Sequence, residues 1–174
     1  RDTSGILVLT RKRSALTAVQ TEIREGRVEK SYLALIRGVL QQASLLVDAP
    51  LRKSVLQGGE RMVRVDPEGK LSRSRFHELE RYSDASLVEV ALETGRTHQI
   101  RVHAQHIGHA LAGDEKYGDR EFNRRMRDNG LKRLFLHAAR FEFSLGERSY
   151  SFSAPLAPEL TAILDTLQTP GVST

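Results

Sequence analysis

An α+β fold follows from the order in which strand-like and helix-like stretches run along the 174 residues. Strand-like runs come in groups with helices inserted between them, not in strict alternation, which argues for a mostly antiparallel or mixed sheet flanked by helices and loops. The middle third is punctuated by turn residues, "DPEGK" at 66–70 and Ser83-Asp84, and the chain closes on a helix opened by Pro158.

"GILVLT" at 5–10 is a short β-rich apolar run, and a strand is expected there. "SALTAVQTEIRE" at 14–25 sets Leu16, Val19 and Ile23 at helical spacing, with Ser14 as the expected cap. "EKSYLALI" at 29–36 alternates: Tyr32, Ala34 and Ile36 share one face of a strand, Leu33 and Leu35 the other, and Arg37-Gly38 ends it. "ERMVRV" and "SRSRFHELERY" flank the 66–70 turn, and "SLVEVAL" follows Ser83-Asp84, so this region reads as antiparallel sheet. Residues 97–107 are helical in pattern. Ile100, His103, Ala104 and Ile107 lie on one face, while His98, Arg101 and Gln105 lie on the other. "LKRLFLHAARFEFSL" and "SYSFSA" are expected strands, and "PELTAILDTLQ" the last helix. No internal repeat or low-complexity segment interrupts the chain, and one domain spans 1–174.

Composition narrows the chemistry. Lys plus Arg number 27 against 22 Asp plus Glu, a formal charge of +5, which suits an anionic partner. The absence of cysteine excludes a disulfide framework and a thiolate metal site. Neither a long apolar run nor a signal-peptide pattern is present, so a soluble cytoplasmic protein with no membrane contact is the expectation. Arg1 is not an initiator methionine, and the chain is read as one that lacks its natural beginning.

"TGRTHQIRVHAQHIGH" at 94–109 holds two arginines and four histidines and no acid. His98, His103, His106 and His109 do not form H-E-x-x-H, and a five-residue spacing turns His98 and His103 to different helix faces. No metal site is expected; His103 reads as a hydrogen-bonded core residue. The spacing and lysine of a phosphate loop are missing, as is a G-x-S-x-G elbow. Arg101 reads either as a bidentate partner for a carboxylate or phosphate or as an exposed arginine making nothing measurable. Tyr32 reads either as a core tyrosine or as a stacking platform or proton acceptor. In "DREFNRRMRDNGLKR" at 119–133, Arg120, Arg124, Arg125 and Arg127 are either a solvated face or part of a phosphate-binding surface. Basic clusters at 11–13 and 73–75, with Lys53, Arg61 and Arg64, tilt that choice toward nucleic acid.

Four segments taken together, "RDTSGILVLTRK", "EKSYLALIRG", "TGRTHQIRVHAQHIGH" and "LFLHA", resemble RluA-family pseudouridine synthases in order and approximate spacing. The likeness covers nearly the whole chain; Ala110 in "GHAL" departs from it, where many relatives have proline. The resemblance implies the family's catalytic-domain fold with a central cleft, acting as a cytoplasmic monomer. It also implies isomerisation of uridine to pseudouridine in 23S rRNA, without metal or cofactor, on a base flipped out of its stack. It further implies that Tyr32 stacks on the uracil and helps remove the C5 proton, and that Arg101 pairs with the reacting carboxylate. Lys30, Ile6, Leu7 and Leu136 would support the substrate, and Arg120, Arg124, Arg125 and Arg127 would bind RNA. In this family the reactive aspartate belongs to "H-R-L-D", immediately before the segment matching "RDTSG". On that resemblance the aspartate, and any S4-like RNA-binding domain, lie upstream of Arg1; Asp2 matches a later acid and should turn away from Arg101. The competing reading is an RNA-binding remnant of the same fold without chemistry.

Overall fold

The computed structural model describes residues 2–55 and 61–167. Strand β1 (Ser4–Gly5) is only two residues long and pairs in parallel with His137 and Ala138. The expected strand at 5–10 does not form as such. Gly5 has φ +95°, and a side chain there would collide with the Ala138 backbone, so the chain leaves the ladder after Ile6 donates its N–H to the Ala138 carbonyl. Beyond that point Leu7 and Leu9 are 79% and 81% exposed. Helix α1 (Arg13–Arg24) starts at Lys12 without a side-chain cap, so Ser14 sits inside the first turn and is not the cap. Of its apolar positions Val19 is buried, against Val28 and Phe143, while Leu16 and Ile23 are exposed.

Strand β2 (Glu29–Arg37) lies between two later strands in the sheet, and its alternation divides the molecule. Tyr32, Ala34 and Ile36 face one apolar cluster, with Phe76, Val88 and Ile100; Leu33 and Leu35 face the other, with Phe122, Phe135 and Leu160. Strand β3 (Ser44–Asp48) ends the sheet, and β4 (Leu51–Val55) pairs with β5 (Arg61–Val65) as a separate two-stranded unit. Around the turn at 66–70, the chain returns as β6 (Arg73–Arg81) and β7 (Ala85–Leu92), both antiparallel to their neighbours.

Helix α2 (Gln99–His106) is shorter than the expected 97–107, because His98 adopts the left-handed region at φ 55° and caps it. Helix α3 (Arg120–Asp128) forms where the sequence pattern gives only a basic segment. Asp119 caps it by accepting from the Phe122 N–H, and Phe122, Asn123 and Met126 form its buried face. Strand β8 (Leu136–Leu145) begins five residues later than the expected strand at 131, since Leu131, Leu134 and Phe135 are used in core packing before the ladder starts. Strand β9 (Arg148–Ser153) pairs with β8, and α4 (Pro158–Leu164) closes the described chain with proline in its first turn. The large sheet runs β1-β8-β2-β7-β6-β3, parallel only at β1, with β9 also on β8. The α+β expectation is met.

Candidate active site

A pocket of about 230 Å³ opens over the middle of the sheet, lined among others by Asp2, Tyr32, His98, Arg101, Leu134 and Leu136. Strand β2 delivers Tyr32 at a slip in register: the β2–β8 pairing shifts between Ser31 and Tyr32, which re-aims the side chain relative to a regular ladder. Tyr32 is largely buried, and burial pushes its phenol above the ordinary value, so at neutral pH it faces the pocket as a neutral phenol.

Arg101 comes from the first turns of α2, whose entry is fixed by a hydrogen-bonded knot around the buried Gln99. The Gln99 Oε1 accepts from Thr94 Oγ1 at 2.8 Å and from the Arg96 N–H at 2.9 Å, and its Nε2 donates to the Arg73 carbonyl and to Ser74 Oγ. The other face of α2 is held by His103. Its Nε2 donates to the Ala49 carbonyl at 2.9 Å, and its Nδ1 accepts from Ser74 Oγ at 3.0 Å; burial keeps it neutral. His103 is thus the hydrogen-bonded core residue its position suggests.

Arg101 is not a solvated arginine, and its carboxylate comes from an unexpected place. Arg101 donates from Nε to Asp114 Oδ2 at 2.7 Å and from Nη2 to Oδ1 at 2.6 Å, a bidentate pair whose side chains are 14% and 1% exposed. Burial alone would lower the Arg101 pKa, but the Asp114 hydrogen bonds outweigh it and hold the guanidinium above its ordinary value. Burial likewise opposes the Asp114 charge, and Arg101 with the backbone N–H groups of Tyr117 and Lys116 holds the carboxyl below the usual range. Charge balance at Arg101 is thus met within the described residues: the sequence window 94–109 contains no acid, but the loop immediately after it does. Asp2 is exposed and lines the same pocket, with its backbone carbonyl accepting from Arg133 Nη2 at 2.8 Å. Arg1 lies outside the described residues.

The loop bearing Asp114 is tightly built. Asn123 of α3 accepts from the Gly113 N–H and donates to the Asp114 carbonyl, both at 2.9 Å. Side chains on Gly113 or Gly118 would strike the backbone of Arg133 or Asp114, so the close approach requires glycine at both ends of "GDEKYG". The Arg101 guanidinium lies 5.0 Å over the Tyr117 ring. The buried Tyr117 hydroxyl accepts from the Val63 N–H at 3.0 Å and sits 2.9 Å from His98 Nδ1. With that hydroxyl's own hydrogen directed to Nδ1, His98 carries its proton on Nε2. Burial, then the Arg101 and Lys116 charges, lowers the His98 pKa and keeps the ring neutral.

The remaining expected residues divide. Leu136 lines the pocket. Lys30 is half-buried, lowered in pKa by burial, with Nζ close to Gly95 in the turn before α2. Ile6 and Leu7 are not among the lining residues, and Leu7 points to solvent; the turn at Gly5 carries that segment off the sheet. On α3, Arg125 is paired with Asp84 and Glu121, and Arg127 with Glu115, while Arg120 and Arg124 are exposed. Arg127 lines a second pocket of about 510 Å³, which shares Asp2, His98, Arg101 and Leu134 with the first. The Arg61 side chain lies outside the described residues.

With Tyr32 and Arg101 on one pocket, the comparisons with known proteins fall into line. Residues 1–106, more than half of the chain, match the family model described as RNA pseudouridylate synthase. The chain belongs to the RNA pseudouridylate synthase family. It is 51% identical over 170 residues to the ribosomal large subunit pseudouridine synthase C of Pasteurella multocida, covering 97% of this chain and 52% of that protein. Against the Escherichia coli protein of the same name, identity is 53% over 146 residues, covering 83% of this chain and 46% of that one. The chain thus spans about half the length of the curated relatives it matches. Among solved structures, human RNA pseudouridylate synthase domain containing 1 superposes with a TM-score of 0.74 at 26% identity, covering 88% of this chain and 65% of that chain. The domain-containing 4 protein superposes with a TM-score of 0.72 at 22% identity, over 91% and 70%, which speaks to the fold alone.

Proposed function

We propose that this chain is most of the catalytic domain of a pseudouridine synthase acting on large-subunit (23S) rRNA, a cytoplasmic monomer that uses neither metal nor cofactor. The observation that carries the reading is the shared pocket: Tyr32 and Arg101 are 69 positions apart in sequence and line one cavity with Leu136. The reaction breaks the uridine N1–C1′ bond, turns the held uracil and forms a C5–C1′ bond. C5 loses its hydrogen as a proton and N1 gains one, so no oxidant or co-reactant is needed. A base inside a stack cannot reach the pocket, and the uridine enters flipped out. Tyr32 packs its ring against the uracil; Arg101 binds the reacting carboxylate; Lys30 and Leu136 support the site, with Ile6 and Leu7 as more remote neighbours. Arg120, Arg124, Arg125 and Arg127 contribute to the RNA-binding face.

The reacting carboxylate is assigned to an aspartate N-terminal to Arg1, with the S4-like domain of relatives further upstream. The location of Asp2 on the pocket favours a second reading, in which Asp2 itself supplies the carboxylate. Release of tritium from RNA labelled at uridine C5 separates the two. On the first reading a mass-verified chain of these 174 residues binds RNA and releases none, as an RNA-binding fragment would, while the longer protein releases it. Release by the 174-residue chain, lost in Asp2→Asn, establishes the second. No release by the longer protein, with its rRNA substrate present, overturns the enzymatic assignment.

A further inference from the structure

We propose that Asp114 is a positioning residue for this reaction, holding Arg101 by its Nε and Nη2 edge so that Nη1 is the nitrogen presented to a second anion. The inference rests on the uridine-isomerising reading above and adds a residue to it. Both nitrogens of one edge of the guanidinium are committed to Asp114, at 2.7 and 2.6 Å, and among the described residues Nη1 makes no hydrogen bond. An arginine so held cannot swing between rotamers without breaking two charge-assisted hydrogen bonds to a buried carboxylate.

Asp114 is itself immobilised. Its Oδ1 also accepts from the backbone N–H groups of Lys116 and Tyr117 at 3.0 and 2.9 Å, and Asn123 holds both the N–H of Gly113 before it and the carbonyl of Asp114 itself. The Tyr117 ring then supports the guanidinium from its face. Position is thus transmitted from the buried side of α3, through Asn123 and the 113–118 loop, to a cation on the pocket wall. A pair that merely completed the core would have no reason to leave one guanidinium nitrogen unbonded beside a pocket. A carboxylate or phosphate is the chemistry that fits that nitrogen.

Asp114→Asn tests this in the full-length protein. The amide oxygen can still accept from Lys116 and Tyr117, so the loop keeps its turn, but the amide nitrogen faces the Arg101 donors and the grip is lost. Expected are RNA affinity within about threefold of wild type and a kcat for tritium release lower by about 100-fold, with KM little changed. In Asp114→Asn combined with Arg101→Ala, kcat should fall no further than in Arg101→Ala alone, since Asp114 acts only through Arg101. Turnover of Asp114→Asn within about threefold of wild type, or additive losses in the double variant, would overturn the proposal. Should Asp114→Asn fail to fold, Arg101→Lys carries the test, because it keeps a cation beside Asp114 but loses the fork. Its kcat should fall comparably while its melting temperature stays near wild type, and near-normal turnover would refute the assignment. A wild-type protein that binds RNA and releases no tritium sinks the underlying reading, a different result from a normal wild type with an unaffected Asp114→Asn.

Discussion

Arg101 and the arginines of α3 belong to neighbouring parts of the molecule and have the same side chain, yet they are set in opposite ways. Arg101 is gripped along one edge by a buried carboxylate and supported by an aromatic ring. Arg125 and Arg127 are 40% and 53% exposed and reach Glu121 and Glu115, which are more open still. Breaking a buried pair strands a charge and costs about 3–5 kcal/mol, whereas an exposed pair is worth about 0–1 kcal/mol. One arginine is therefore a fixed tool and the others are exchangeable charges. Counting arginines along the sequence treats them alike.

The largest effect that can break this contrast is Arg101→Ala. It should cut the kcat for tritium release in the full-length protein to a low residual rate, at least as far as Asp114→Asn does, and lower stability by about 3–5 kcal/mol in denaturant melts, because Asp114 is left buried without its cation. Arg127→Ala should cost less than about 1 kcal/mol. Equal losses would erase the distinction. Next in size is Tyr32→Phe, which keeps the ring and removes the hydroxyl. RNA binding should persist and most turnover should disappear if the hydroxyl takes part in moving the C5 proton. Since burial disfavours the phenolate, unimpaired turnover in Tyr32→Phe would assign Tyr32 to ring packing alone.

How much of this is legible in the sequence depends on range. The alternation of β2 is readable because each position reports its own face, and Tyr32, Ala34 and Ile36 do line one side. His103 is readable because the helical stripe around it is apolar. Arg101 keeps two readings open for a related reason: periodicity locates a residue on a helix but does not say what another segment lays across it. The covering segment, "GDEKYG", carries a signal of its own. Asp114 two and three residues before Lys116 and Tyr117 is an Asx-turn spacing, bracketed by glycines. The basic count in 119–133 hides an amphipathic helix whose apolar face, Phe122 and Met126, is fully buried.

A smaller effect sharpens the comparison through pH. The Asp114 carboxyl is held below its unfolded value of about 3.9. Its contribution to stability is therefore fully present above that value and is lost as pH falls through the folded one. The gap in melting temperature between wild type and Asp114→Asn should stay level through the neutral range and narrow only below about pH 4. A gap that closes nearer pH 6 would point to a histidine in place of this pair. The exposed α3 pairs should contribute little to that gap at any pH.

The smallest expected effect concerns RNA affinity, and it asks whether α3 is a binding face at all. Arg124 is exposed, while Arg125 already spends part of its charge on Asp84 and Glu121. If the helix lies along the phosphate backbone, reversing both to glutamate leaves at most two phosphates without a cation. The slope of log affinity against log salt should then become shallower by roughly 0.7–0.9 for each phosphate no longer neutralised, and by less if Arg125 stays with its acids. Arg101, by contrast, is neutralised by Asp114, so Arg101→Ala should leave the salt slope nearly unchanged even as turnover falls to its residual rate. The two regions would then separate cleanly, one setting how RNA is held and the other what happens to the base. A salt slope that ignores the α3 reversal and responds to Arg101→Ala would invert that division and move the phosphate-binding cation into the pocket itself.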